Sequence, residues 1–173
     1  MNETKKNIIN TPSEEETLKK FWNILETVTD PEIPVLSVID LGIIRDIIIN
    51  DGKIEFIITP TYSGCPAMDV ISMNIRMALI SEGFTSIIIS QQLSPAWTTD
   101  WMTESGKEKL KSYGIAPPVA KSFDKEFLEN LAIECPLCHS TNTSLISQFG
   151  STACKALYKC NDCREPFDYF KCH

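Results

Sequence analysis

Histidine is scarce in this chain. There are two, His139 and His173, both near the C-terminal end. A nucleophilic cysteine or serine in the first 134 residues has no imidazole base in the same stretch, which argues against hydrolase or transferase chemistry there. Long apolar runs are missing as well. Nowhere do about 18 apolar residues follow one another without a charge, and the opening MNETKKNIINTPSEEE lacks an apolar core of signal-peptide length. The expectation is a cytoplasmic protein with no membrane partner. Basic residues are in deficit: 12 Lys and Arg stand against 20 Asp and Glu before Cys135, and four against three after it, which divides the net charge of −7 into −8 and +1. An acidic body opposes a phosphate backbone, and Lys155, Lys159, Arg164 and Lys171 are too few for the tail to bind one alone, so no nucleic-acid partner is expected. The paired Glu and ExxH elements of a helical di-iron site are also lacking, which argues against oxygenase chemistry by this chain on its own.

Cysteine is rare in one part and abundant in another. Six of the seven cysteines fall between Cys135 and His173, and the seventh is Cys65. A chain of 173 residues can hold one ordinary domain of about 100 to 150 residues plus a small appendage. The sulfur distribution suggests the same division.

Along the larger part, Thr11, Pro12 and Glu14 read as a helix start, and Leu18, Phe21, Trp22, Leu25 and Val28 recur at helical spacing on one stripe. DPEIPVLSVIDLG reads as an ordered loop, with Asp30, Glu32 and Asp40 as turn residues rather than ligands. Ile43 to Asn50 and Lys53 to Thr59 form a hairpin about Asp51-Gly52. A helix beginning at Cys65-Pro66 and ending before Gly83 has so few polar residues (Asp69, Ser72 and Arg76) that it is expected to be largely buried. It crosses over to a third strand, Phe84 to Ser90. A last helix spans Thr103 to Tyr113 and stops at Gly114. Trp97 and Trp101 before it are expected to pack, with partner docking the sharper alternative.

In the tail, Cys135 and Cys138 form one CxxC pair and Cys160 and Cys163 another, with 21 residues between. Two such knuckles facing each other complete a tetrahedral thiolate site, and closed four-cysteine sites are generally structural zinc. TSLISQFG, ACKALYK and FDYFK supply a three-stranded ribbon. Metal binding is expected to contribute on the order of 10 kcal/mol to the folding of so small a unit. Iron, as a rubredoxin-like single ion or a cluster, suits the same four thiolates, and spacing does not choose between them. Cys154, Cys172 and His173 are auxiliary candidates, as transient or replacement ligands. His139 directly follows a knuckle, where a positive φ is needed, and reads as a turn residue.

Cys65 lies between Gly64 and Pro66. With Pro66 at the first helical position, Cys65 becomes the N-cap, and the free amides and helix dipole there are expected to depress its pKa and make it a functional thiol. Capture of metal or an iron–sulfur cluster asks only for such a thiolate. A buried, inert cap is the plainer reading.

DPEIPVLSVIDLGII, TPTYSGCPAMD, SPAWTTDWMTESGKEKLKSYGIAPP and FGSTACKALYKC with EPFDYFKCH together resemble the PaaD (PaaJ) family of the bacterial phenylacetate degradation pathway, from about Lys19 to His173. The first part is also similar to the small α/β domain of SufT and of cytosolic iron–sulfur targeting factors, whose characteristic cysteine corresponds to Cys65. The resemblance implies an accessory or maturation factor for the ring-1,2-phenylacetyl-CoA epoxidase, a multicomponent monooxygenase. It implies a transient iron–sulfur cluster at Cys65, no catalytic residue of its own, and two sets of partners: epoxidase components, above all the iron–sulfur flavin reductase, and iron–sulfur assembly proteins. A structural subunit of the oxygenase and a rubredoxin-like electron carrier are the rival readings.

The expected fold is α/β (α+β): a small sheet made of a β-hairpin plus a crossover strand, packed by helices and followed by a zinc-ribbon-like module. The divisions are an iron–sulfur assembly type domain over 1–116, a linker over 117–134 and a four-cysteine metal ribbon over 135–173.

Overall fold

A computed structural model describes residues 12–50, 52–119 and 131–171. Thr11, Asp51, the central part of the 117–134 stretch, Cys172 and His173 lie outside the described residues.

Helix α1 spans Pro12–Glu26, and Phe21, Leu25 and, just past its end, Val28 bury the expected stripe. Ile24 joins them, while Trp22 is turned outward. Strands β1 (Ile44–Asn50) and β2 (Lys53–Ile58) pair antiparallel about Gly52, whose φ of +77° suits a residue without Cβ. Ile54, Phe56 and Ile58 of β2 all face the core, as the alternation requires.

Helix α2 (Ala67–Ser81) then crosses over to β3 (Ile87–Gln91), which pairs parallel with β2 and completes a sheet of order β1-β2-β3. The third strand starts three residues later than Phe84. The Phe84 amide closes the end of α2 on the Leu79 carbonyl, and its ring packs 4.9 Å from that of Phe21. The expected burial of α2 is not observed either. Ala67, Met68, Ile71, Ile75 and Leu79 are buried, but Val70, Met73, Met77 and Ile80 are 40–61% exposed. The sheet and α1 cover one face of the helix, and its other apolar face looks outward.

Helix α3 (Glu104–Tyr113) has the ends that the sequence indicates. Thr103 Oγ1 accepts from the Gly106 amide at 2.9 Å, and Gly114 takes the left-handed conformation at φ +90°. The chain passes directly into β4 (Ile115–Ala116), which lies outside the first sheet and pairs parallel with β7 (Pro166–Phe170). With β5 (Thr143–Ser147) and β6 (Lys155–Cys160) the second sheet has the order β4-β7-β6-β5. The expected three-stranded ribbon is therefore a four-stranded sheet, whose outer strand comes from the end of the helical part.

Two cores result. Phe21, Leu25, Phe56, Ile58, Ile71 and Ile75 anchor the first, and Tyr158, Tyr169 and Phe167 the second, together with Cys135 and Cys160. Cys154 and Phe170 belong to the ribbon by sequence but are buried in the first core. Trp97 meets Phe170 edge to face with ring centroids 6.2 Å apart, and its indole N–H donates to the Leu41 carbonyl at 2.8 Å, so Trp97 packs. Trp101 lies beneath the Arg45 guanidinium. Gly42, at φ +65°, passes so close to this turn that a Cβ there would sit 2.0 Å from the Trp101 carbonyl oxygen. Among the described residues no helix is long and apolar enough to cross a membrane.

Candidate functional site

Each CxxC pair sits on a tight turn closed by the backbone. The Cys135 amide donates to the Ser140 carbonyl at 2.9 Å and the Cys160 amide to the Glu165 carbonyl at 3.0 Å. The residue after each knuckle, His139 at φ +63° and Arg164 at φ +67°, adopts the left-handed conformation that reverses the chain. Asp162 ties the two turns together by accepting from Ser140 and Asn142, and these bonds hold its carboxyl below the usual range. His139 is a turn residue: its exposed imidazole pairs with Glu134 at 2.8 Å.

The two turns bring Cys135, Cys138, Cys160 and Cys163 together, with all four sulfurs within 4.8 Å of one another. Cys135 and Cys163 are 3.8 Å apart, and Cys138 and Cys160 are 3.5 Å apart. Thiolates around a tetrahedral ion at about 2.3 Å stand about 3.8 Å from each other, so the quartet fits a closed metal site. Its electrostatics suit a cation as well. The Cys163 and Asp162 amides lower the Cys160 thiol to about 7. At Cys163 the favourable Glu165 amide is outweighed by desolvation and by the neighbouring sulfurs, and the thiol is pushed up to about 12. The Cys160 thiolate forms readily, whereas Cys163 ionises only with a positive ion beside it.

Cys65 differs from expectation in two respects. The cap of α2 is Pro66, and the helix proper begins at Ala67. The Cys65 sulfur nevertheless accepts from the Ala67 amide and from the Tyr62 hydroxyl. Its pKa is raised rather than depressed: burial is the largest cause, and the Glu32 and Asp30 carboxylates add to it, which together outweigh the two hydrogen bonds. The resting thiol is protonated at neutral pH.

The carboxylates divide into two roles. Asp40 is buried and fully engaged, by Ser37, by Thr103 at 3.0 Å and by Lys109 at 2.6 Å, which excludes it as a ligand. Asp30 caps its own loop, accepting from the Glu32 and Ile33 amides at 2.8 and 2.7 Å, yet burial still raises its pKa. Asp30 and Glu32 both act on Cys65.

Of three further residues at or beside the first core, Tyr62 and Thr59 carry no local sequence signal, while Cys154 is one of the auxiliary candidates. Tyr62 is hydrogen-bonded to Cys65. Thr59 is buried, and its Oγ1 has no partner among the described residues. Cys154 stands apart from the quartet, with its sulfur 3.1 Å from Thr152 Oγ1 and facing the same Glu32 and Asp30 carboxylates.

A small α/β domain followed by a four-cysteine ribbon is the class of protein that this architecture defines, and two family models match the chain, one in each part. "Iron-sulfur cluster assembly protein" matches residues 19–85, and "PaaD zinc beta ribbon domain" matches residues 120–171. The chain belongs to the PaaD family. It is 50% identical over 153 residues to an Escherichia coli K12 protein described as one subunit of a "Putative 1,2-phenylacetyl-CoA epoxidase", covering 88% of this chain and 92% of that one. It is also 36% identical over 97 residues to a Porphyromonas gingivalis "Fe-S protein maturation auxiliary factor", covering 55% of this chain and 91% of the relative. The first part shares its fold with a solved DUF59 domain from Bacillus anthracis, at TM-score 0.54 and 25% identity over 58% of this chain and 97% of that domain.

Proposed function

We propose that this protein is a non-catalytic accessory factor that assists iron–sulfur or iron-centre assembly for a phenylacetyl-CoA epoxidase. In this reading Cys65 is a transient ligand for the delivered iron, and the ribbon is a docking module shaped by zinc held on Cys135, Cys138, Cys160 and Cys163. The observation that carries the reading is the joining, in one chain, of a maturation-factor domain to the ribbon of an epoxidase component. The Cys65 environment supports it. The thiol is half-buried at the start of a helix, and the histidine among the described residues lies on the ribbon and is paired with Glu134, so metal capture fits better than nucleophilic catalysis. The recipient is the reductase component that carries flavin and an iron–sulfur centre. The ribbon, the 1–116 unit and the stretch between them act together, joined through β4.

The test is Cys65→Ala in cells that grow on phenylacetate. The reductase is expected to lose most of its cluster, and a reductase that fills normally would show Cys65 to be only a helix-end residue. A four-thiolate site suits iron as well as zinc, so electron transfer is the competing role for the ribbon. One equivalent of zinc, with no visible absorption in protein purified without added metal, would exclude it.

A further inference from the structure

We infer that the cavity at the carboxyl ends of β2 and β3 is a binding site for a small uncharged carbonyl compound with an apolar body, of the amide or ester type. The inference goes beyond the assembly reading and does not depend on it. β2 and β3 run parallel, and the segments that follow them, 59–63 and 93–97, border a cavity of about 300 Å³. The crevice outside the carboxyl ends of parallel strands is the place where open α/β sheets bind their ligands. Both walls start from fixed points. The Thr59 amide donates to the Ile43 carbonyl, and the Gln92 amide to the Ile58 carbonyl, each at 2.8 Å.

The lining decides the chemistry. Thr59, Thr61, Tyr62 and Ser63, each with a hydroxyl, form one wall, and Leu93 and Trp97 bring apolar surface to the other. The indole N–H of Trp97 is spent on the Leu41 carbonyl at 2.8 Å, so this residue offers its ring alone. No residue of the lining carries a charge, and an ion placed there would be desolvated without a counter-charge. The start of α2 does not make up for this with an anion, because the Met68 amide is already turned to the Cys65 carbonyl at 3.3 Å. An uncharged molecule is what the cavity suits.

Thr59 points to a ligand independently of the topology. It is 1% exposed, and its Oγ1 has no hydrogen-bond partner among the described residues. Buried polar atoms in this state are few, and each carries a desolvation cost that a partner would remove. A carbonyl is such a partner, since it accepts from the hydroxyl and brings no charge into the cavity. The opposite wall can yield to let it in, because residues 91–96 are exposed along their whole length. Leu93 in that wall is 60% exposed, and an apolar body laid against it and the Trp97 ring would take that surface out of water. A carbonyl at one end and an apolar group at the other thus answer both walls at once.

The test titrates the full chain, with zinc in the ribbon, with three probes of similar shape: benzamide, its anionic counterpart benzoate, and toluene, which has no hydrogen-bonding group. Two-dimensional NMR reads the Thr59, Leu93 and Trp97 signals. Benzamide is expected to shift all three together and to saturate with a Kd on the order of 1 mM, ordinary for so small a molecule. Benzoate and toluene are expected to bind about tenfold more weakly or not at all. Thr59→Val keeps the shape and removes a hydroxyl that has no partner to abandon, so the variant folds; it is expected to weaken benzamide about tenfold and to leave toluene unchanged. Ala96→Phe, at an exposed position of the lining, is expected to fill the cavity and abolish the shifts. No saturable shift at these signals, equal binding of benzoate or toluene, or undiminished benzamide binding in Thr59→Val would each overturn the inference.

Discussion

At the scale of single residues, several positions behave as their chemistry dictates. Thr103 caps α3, Gly114 ends it, and His139 takes the positive φ that a knuckle turn requires. These were legible because each depends on its immediate neighbours. Arg164 occupies the same place in the second knuckle and could have been found by comparing the two turns. The pKa of Cys65 was not legible, since it is raised first by burial in the folded chain and then by carboxylates more than 30 residues earlier in the sequence. Gly42→Ala is expected to destabilise the protein by roughly 3 kcal/mol, because the added methyl meets the Trp101 carbonyl and the backbone is left-handed; chemical denaturation measures this. Asp30→Asn is expected to stabilise it at neutral pH. The folded-state pKa of Asp30 is raised by burial, so folding favours the protonated acid, and stability is lost as pH climbs from the ordinary value of 3.8 through the raised one. Asn keeps the acceptor for the Glu32 and Ile33 amides without the charge. Its advantage is therefore absent below the ordinary carboxylate range and full at neutral pH, which melting curves across pH would show.

At the scale of elements, the hairpin, the crossover and the helices α1, α2 and α3 among the described residues follow from periodicity and turn signals, because those signals are local. The errors come from what an element meets. Composition alone makes α2 an interior helix, but only the row Met68, Ile71, Ile75 and Leu79 has something to pack against. β4 has two residues, too few to show any alternation, and only β7 makes it a strand. Met73→Glu combined with Met77→Lys is expected to leave stability within about 0.5 kcal/mol of the parent, since both side chains are more than half exposed. A loss of several kcal/mol in thermal unfolding would mean that this face is covered.

At the scale of the whole molecule, the two cysteine knuckles were readable from spacing and the family from its motifs, whereas the seam between the parts was not. Cys154 and Phe170 enter the first core through contacts between distant stretches of chain, and no run of residues announces them. Removing metal from the ribbon is expected to cost on the order of 10 kcal/mol of its folding free energy. The loss should reach the helical part, because β4, Cys154 and Phe170 are held in common. A strong chelator is then expected to lower the main melting transition rather than produce a separate early one, as calorimetry would reveal.

The short strand β4 has one more consequence, for self-association. It covers part of the outer edge of β7, leaving fewer free amides and carbonyls there for another polypeptide to use. A ribbon severed from the helical part would bare that edge along Pro166–Phe170, beside the aromatic pair Phe167 and Tyr169. Copies of the severed piece are expected to zip together edge to edge, as light scattering would detect, while the intact chain stays dispersed.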